Sequence, residues 1–236
     1  MARPMLAFLF SVLALLRFSY GFSDFCHVSR CTTAKQTVCL YPDPQPSKAC
    51  NQVYNAYLTR NEQIALVKKH NYYRRFVAAG KEKRGQPGPQ PPASNMQDLS
   101  WDAELAYVAQ RWANQCTFQH DKCRSVDRFV VGQNLAQRAT TGIDNGPIEN
   151  LVTSWYNEVK DFNASQVPKL SNFNAATGHY TQLVWAKSKY IGCGVIRFKP
   201  ENGWNTTTLV CNYGPAGNYI NQEIYKIRDG CSSRLY

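Results

Sequence analysis

The stretch that decides the fold contains GHYTQLVW (178–185), YIGCGVIRF (190–198) and LVCNYGPAGN (209–218). Apolar residues alternate around Cys193, as expected for a half-buried strand, and Asn202-Gly203 provides turn chemistry before the next apolar run. Cys193 and Cys211 lie almost symmetrically about this turn, so an antiparallel hairpin would place them opposite each other. In an oxidising compartment such a pair forms a disulfide. The stretch therefore predicts a stapled β-hairpin, with His179 just ahead of it.

Two of these segments resemble the signature motifs of a known superfamily. GHYTQLVW (178–185) and CNYGPAGN (211–218) are similar to the motifs of CAP proteins, which comprise cysteine-rich secretory proteins, antigen 5 and plant pathogenesis-related proteins. GPQPP (88–92), LSWD (99–102) and AQRWANQC (109–116) resemble the antigen 5 branch of stinging insects, so the resemblance covers Cys26 to about Tyr225. It implies a three-layer α-β-α sandwich with a central cleft.

The N-terminus has the features of a secretory signal peptide. Arg3 precedes an apolar run over 5–16, and Ser19-Tyr20-Gly21 offers small residues at a cleavage site, so we expect 1–21 to be removed. The apolar run is too short to span a membrane comfortably, and no later stretch qualifies. The sequence therefore predicts a secreted, extracellular protein without a transmembrane segment.

Nine cysteines follow the signal peptide, and none forms a Cys-x-x-Cys pair, which favours a disulfide framework over a zinc finger. Their spacing leaves the connectivity open. The resemblance implies four pairs: Cys26–Cys39, Cys31–Cys123, Cys50–Cys116 and Cys193–Cys211. Two of them would pin a cysteine-rich extension, 22–57, onto a main domain, 58–225. Cys231 is then left in a tail, 226–236, as a free thiol or an intermolecular bridge.

The spacing of apolar residues and the positions of capping residues, glycine and proline predict the remaining elements. Thr59 and Glu62 form a capping box ahead of an amphipathic helix that Gly80 ends. The other predicted elements are a proline-rich loop over 81–95, a helix over 102–114, a strand over 128–136 and a helix beginning at Pro147. Taken alone, this order predicts a mixed α/β domain with a mostly antiparallel sheet covered by helices.

The resemblance also implies a cleft carrying two histidines and two glutamates that can bind a divalent cation. The matching positions are His120, Gln133, Glu158 and His179. Gln133 departs from the pattern, and a neutral amide is a poor zinc ligand and no general base, so metal affinity should fall. Two histidines and one carboxylate could still hold zinc; alternatively, the imidazoles are hydrogen-bonded to each other, to Glu158 or to water. We expect no required cofactor and at most weak zinc binding.

The sequence carries no convincing catalytic nucleophile. It has no Gly-x-Ser-x-Gly, and the implied disulfides use every cysteine of the main domain. Ser154 lies one helical turn before Glu158, a spacing common by chance. We therefore expect a protein that is not an enzyme. His27 and His70 are expected to be structural or solvated.

The charge of the chain and its glycosylation sequons indicate which partners and modifications it could have. The formal net charge is +11, and a basic cluster (Lys68, Lys69, Arg74, Arg75, Lys81, Lys83 and Arg84) could attract anionic surfaces or could simply be a solvated helix face. No nucleic-acid-binding motif occurs. Asn163 and Asn205 begin N-glycosylation sequons, both in predicted loops.

Three functions remain. The first is a secreted, non-enzymatic effector of venom or saliva that binds an unidentified host extracellular protein or anionic surface. The resemblance implies that such a protein is also an allergen recognised by IgE. The second is a carrier of sterols, fatty acids or other apolar ligands. Its groove could be lined by aromatic residues: Tyr156, Phe162, Phe173, Tyr180 and Tyr219. At these spacings, however, aromatic residues more often form the hydrophobic core. The third is a metal-dependent hydrolase acting at the cleft.

Overall fold

A computed structural model describes residues 24–142, 144, 146–201 and 203–228. The predicted signal peptide, the turn residue Asn202 and the extra cysteine, Cys231, lie outside the described residues. The elements, in chain order, are α1 (Thr37–Leu40), β1 (Gln52–Ala56), α2 (Arg60–Ala78), β2 (Ser100–Trp101), α3 (Ala103–Ala113), β3 (Gly132–Thr140), α4 (Asn150–Asn157), α5 (Gly178–Leu183), β4 (Tyr190–Lys199) and β5 (Asn205–Gly214).

The predicted hairpin is confirmed. β4 and β5 are antiparallel, and Cys193 lies directly opposite Cys211, to which it is disulfide-bonded. Gly192 and Gly194 allow α3 to pack against the backbone of β4. A Cβ at Gly194 would lie 2.3 Å from the Cα of Gln110, so only glycine permits this approach.

The hairpin forms the centre of a sheet with the strand order β1-β4-β5-β3. All pairs on this path are antiparallel, and β2 adds a short parallel pairing to β4. β1 lies within the cysteine-rich extension, 22–57, where the sequence pattern predicts no strand. The strand predicted over 128–136 was displaced: β3 begins at Gly132, because Val126 and Phe129 pair with each other across a tight turn.

The helices agree with their predicted positions, with one shift. The capping box of Thr59 and Glu62 is present at the start of α2, and the side chain of Asp102 caps α3. α4 begins at Asn150, not at Pro147, because 147–149 form hydrogen-bonded turns ahead of it. The sequence did not predict α5 as a helix.

The sheet separates two apolar cores, which confirms the three-layer architecture. Val195 and Leu209 face the core formed with α2, α4 and α5. Their neighbours Ile196 and Val210 face the opposite core, formed with α3. This alternation follows from the two-residue period of a strand.

All four predicted disulfides are present. Cys31–Cys123 and Cys50–Cys116 join the N-terminal extension to the α3 side of the sheet and span 92 and 66 residues. Cross-links that close loops of this length typically stabilise a fold by about 2–4 kcal/mol each.

The assignment of Arg74 to a basic surface cluster was wrong. Its side chain is fully buried, and its guanidinium donates to the backbone carbonyls of four residues: Gln97, Leu183, Trp185 and Ser188. Burial lowers its pKa to about 10. Arg74 therefore ties α2 to the segment after α5. Arg75 and Arg84 are paired with Asp98 and Glu82, which further reduces the positive charge of the cluster.

Candidate functional site

The four sequence-predicted cleft residues come from four different elements. His120 lies in the loop after α3, Gln133 in β3, Glu158 immediately after α4, and His179 in the first turn of α5. The structure brings them together as two hydrogen-bonded pairs, His120 with Gln133 and His179 with Glu158.

Glu158 holds the N-terminus of α5. Its Oε1 accepts a hydrogen bond from Nδ1 of His179 at 2.6 Å, and its Oε2 accepts from the backbone N–H groups of His179 and Tyr180, each at 3.0 Å. Thr177, at the N-cap position, makes no side-chain capping bond. Glu158 supplies acceptors for the otherwise unpaired N–H groups of the first turn. Its carboxylate is therefore a structural cap as well as the partner of His179.

Trp155 fixes the orientation of the His179 imidazole. The two rings stack with centroids 6.0 Å apart and an angle of 22° between their planes. Nε1 of Trp155 donates to the carbonyl of Leu135 in β3, which anchors the indole to the sheet. The side chain of His179 is thus held from one side by a ring and from another by a carboxylate.

His120 begins a chain of neutral hydrogen bonds that runs across the sheet. Its Nδ1 donates to Oε1 of Gln133 at 2.7 Å, and Nε2 of Gln133 donates to Oδ1 of Asn212 at 3.1 Å. His120 is exposed as a whole residue, but partial desolvation of its ring lowers the pKa, and repulsion from Arg124 and His179 acts in the same direction. His120 is therefore neutral at pH 7.

Both histidines use Nδ1 for these contacts, which leaves Nε2 of each ring as the nitrogen without a hydrogen-bond partner among the described residues. This is the arrangement in which an outer carboxylate or carbonyl orients a metal-binding imidazole. Within the described part of the chain, no group of three or more His, Cys, Asp or Glu is placed to hold a metal ion. A zinc site normally has at least three protein ligands, so two imidazole nitrogens do not fit a catalytic zinc.

Candidate nucleophiles are engaged elsewhere. The hydroxyl of Ser154 donates to the carbonyl of Leu151 at 2.7 Å, within its own helix. All eight described cysteines are in disulfides. The pairing of an activated nucleophile with a base, which covalent catalysis requires, is not formed by these groups.

A buried polar network beneath the cleft was missed by sequence reasoning. His70 is fully buried; its Nδ1 donates to the carbonyl of Leu66 at 2.7 Å, and its Nε2 accepts from the hydroxyl of Tyr213 at 2.8 Å. Asn134 donates from Nδ2 to both Tyr213 and the carbonyl of His179. Desolvation lowers the pKa of His70 to about 4, so the ring is neutral. Of the two alternatives expected for His70, structural or solvated, the structure shows the first: the side chain is buried and hydrogen-bonded.

The aromatic residues considered for an apolar groove divide into two sets. Tyr156, Phe162 and Tyr180 are buried in the core shared with α2 and α4. Phe173 and Tyr219 are 55% and 38% exposed. A separate cavity of about 490 Å³, here called the α2–α3 cavity, lies between the start of α2, α3 and the N-terminal extension. It is lined by other residues.

The two sequons lie in different environments. Asn163 precedes a short helical turn, and its Oδ1 accepts from the backbone of Ser165. The placement of Asn205 in a loop was wrong: it begins β5, its Nδ2 donates to the carbonyl of Gly142, and its Oδ1 accepts from the hydroxyl of Tyr54.

The fold and the cleft place the chain in a known class of protein. The sequence model of the cysteine-rich secretory protein family, CAP, matches residues 67–213, and the chain belongs to this family. It is 48% identical over 211 residues to venom allergen 3 of Solenopsis invicta, covering 87% of this chain and 90% of the relative. It is 51% identical over 195 residues to venom allergen 5 of Rhynchium brunneum, covering 82% and 85%.

Solved structures agree with this assignment. The crystal structure of NaASP2 with Zn²⁺ superposes with a TM-score of 0.64 at 31% identity, covering 74% of this chain and 90% of that one. BmVAL-1 superposes with a TM-score of 0.63 at 29% identity, covering 74% and 86%. Among the described residues, no helix is long and apolar enough to cross a membrane.

Proposed function

We propose that this protein is a secreted, non-enzymatic effector of the antigen 5 type, released in venom or saliva, that acts by binding host extracellular molecules through its surface. The observation that carries the proposal is the bonding of Glu158. Its Oε2 accepts two backbone N–H groups of α5 and its Oε1 accepts from Nδ1 of His179, so the carboxylate serves to cap a helix and to orient an imidazole, which favours a structural role over that of a general base.

The close relatives support the same conclusion. Several proteins that match most of this chain at 43–51% identity are named venom allergens. Recognition by IgE of sensitised hosts follows from this similarity and is part of the proposal. The four disulfides suit an extracellular environment, where such bonds persist.

A zinc ion, which one structural neighbour contains, would here meet the Nε2 atoms of His120 and His179, and the described residues place no third His, Cys, Asp or Glu as a ligand. We propose that zinc binds weakly and is not needed for function. Glycosylation is proposed at Asn163, whose Oδ1 accepts from the backbone of Ser165 and whose amide nitrogen has no hydrogen-bond partner among the described residues. Asn205 is the poorer acceptor because its amide is bonded on both sides.

The experiment pairs catalysis with recognition. The protein and its His120→Ala/His179→Ala double variant would be secreted from insect cells and assayed on fluorogenic peptide and ester substrates, with and without zinc. Binding to IgE from sera of people sensitised to insect venom would be measured in parallel. We expect no turnover by either protein and equal IgE binding. Turnover that a chelator and the double variant both abolish would overturn the proposal.

A small-ligand carrier is the second candidate, and the α2–α3 cavity is the observation that favours it. Its volume falls within the range of small-molecule sites, roughly 300–1,000 Å³. The chemistry of its walls determines which ligand it would take.

A further inference from the structure

The α2–α3 cavity combines aromatic walls with two arginines. Tyr57, Trp101 and Tyr107 provide the aromatic surface, and Arg60 and Arg111 provide the charge. The remaining lining is mostly small or amide-bearing side chains, and none of the described residues that line the cavity carries a carboxylate. Apolar area with a few convergent polar groups is the usual composition of a ligand site.

Arg111 is a buried residue with no acidic partner among the described residues. It is only 3% exposed. Among the described residues it donates to the carbonyl of Tyr41 and to the hydroxyl of Tyr107, whose ring also lies 5.1 Å from the guanidinium carbon. A guanidinium has five donors, so these two acceptors leave part of its hydrogen-bonding capacity unused. A buried charge without a counter-charge carries a large desolvation cost.

Arg111 differs from the other arginines that are buried or half-buried within the described ranges, whereas the exposed Arg30 and Arg228 also lack a carboxylate and bond backbone carbonyls. Within the same ranges, six arginines pair with carboxylates: Arg75, Arg84, Arg124, Arg128, Arg138 and Arg197. Arg74 is buried without a carboxylate but has four carbonyl acceptors. Neither Arg60 nor Arg111 has an acidic partner among the described residues, and both arginines line the α2–α3 cavity. Arg60 is exposed and bonds Gln63 alone, at 3.4 Å.

The cavity walls are held in place by hydrogen bonds, so the space does not depend on mobile side chains. The hydroxyl of Tyr57 and Nδ2 of Asn114 both donate to the carbonyl of Pro44. Gln110 bonds the backbone of Val195 through both ends of its amide. A preformed site reduces the ordering cost of binding.

We propose that the α2–α3 cavity binds a small organic anion, with a carboxylate or sulfonate on a compact aromatic body, and that Arg60 and Arg111 hold the anionic group. An arginine matches a carboxylate with charge-assisted hydrogen bonds. A cationic ligand would be repelled by both arginines, and a neutral one would leave Arg111 unpaired. An inorganic anion would leave the three aromatic walls without a contact. The inference does not depend on the effector role proposed above, because it concerns a different surface.

The first test uses a matched pair of fluorescent probes, 1-anilinonaphthalene-8-sulfonate and its uncharged analogue N-phenyl-1-naphthylamine. Titration of the folded protein should show the sulfonate binding at least about tenfold more tightly than the neutral probe. Equal affinities, or tighter binding of the neutral probe, would overturn the anion assignment. Displacement by 1-naphthoate supports the aromatic body, whereas displacement by dodecanoate alone would overturn that part of the inference.

The second test locates the site with two variants and two controls. Arg60→Gln removes an exposed charge and should weaken sulfonate binding about three- to tenfold, whereas Lys68→Gln, the same change on the same helix, should not. Ala106→Phe should abolish binding by filling the cavity, whereas Ala139→Phe on β3 should not. Arg111 is not substituted, because its loss also releases Tyr41. Wild-type affinity in both Arg60→Gln and Ala106→Phe would overturn the location, and melting curves establish that each variant is folded.

Discussion

The cleft and the α2–α3 cavity are formed by different residues, and the polar groups of the two sites differ in how they are paired. In the cleft, the Nδ1 atoms of both histidines and both oxygens of Glu158 bond other protein groups. In the cavity, the buried guanidinium of Arg111 has two acceptors and no acidic partner among the described residues. These groups of the cleft have partners within the protein, whereas the described residues provide no counter-charge in the cavity.

This difference indicates a structural role for Glu158 and His179. Glu158 caps α5, and α5 carries His179, so the pair would be needed for the fold even without a ligand. A buried charge without a partner is the less common observation and is the better indication of a ligand. Three substitutions test the comparison from the cleft side.

The largest effect is expected for Glu158→Ala. It leaves the first-turn N–H groups of α5 and the imidazole of His179 without acceptors, which should lower the free energy of unfolding by about 3–4 kcal/mol. Glu201→Ala is the control: it removes an exposed carboxylate and should change stability by less than about 0.5 kcal/mol. Urea unfolding measures both. A loss below about 1 kcal/mol in Glu158→Ala would show that the cap is not structural.

The second effect concerns the network beneath the cleft and depends on pH. His70 has a pKa of about 4 in the folded protein and 6.5 as its reference value, so the unfolded state binds the proton more readily. Stability from this residue is fully present above pH 6.5 and is lost as the pH falls towards 4. The loss amounts to about 3 kcal/mol.

The variant His70→Gln lacks the titrating imidazole, so its stability loses this pH dependence even if the variant is less stable than the wild type at every pH. Between pH 7 and pH 4 it should lose less stability than the wild type, by about 3 kcal/mol. Chemical unfolding of both proteins across this range provides the comparison. Parallel pH profiles would mean that His70 is not buried as a neutral ring.

The smallest effect is a gain of metal binding. Gln133→Glu replaces the neutral orienter of His120 with a carboxylate, and outer partners of this kind change metal affinity roughly 10–100-fold. We expect zinc affinity, measured by calorimetry, to rise about tenfold; the modest gain reflects the new charge facing Oδ1 of Asn212. Gln137→Glu, which adds the same charge at an exposed position of β3, is the control. Equal affinities in the two variants would show that residue 133 does not influence metal binding.

Local patterns were sufficient for much of the fold. The hairpin with its Cys193–Cys211 pair and the capping box at Thr59 depend on residues close in sequence, so their geometry follows from spacing. β1 was missed because a register shift between Val53 and Asn55 breaks the alternation of exposed and half-buried residues along the strand. Arg74 was wrongly assigned to the surface. It lies four residues after His70, and this helical spacing places both residues on the buried side of α2, which the sequence could have indicated.

The candidate site was only partly predictable. The resemblance gave the four cleft positions, but their bonding required the fold. Glu158 meets α5 across about 20 residues of intervening chain, and no local pattern indicates that contact. Arg111 lies in a quoted motif, yet its lack of an acidic partner is visible only when the surrounding acidic side chains are placed.

The central claim is that the cleft residues satisfy one another and do not depend on a metal. The most direct measurement is the thermal unfolding midpoint of the wild-type protein in excess EDTA and in excess zinc. The account predicts midpoints that agree within about 1 °C. A rise in zinc of more than about 5 °C, absent from His120→Ala and His179→Ala, would contradict it.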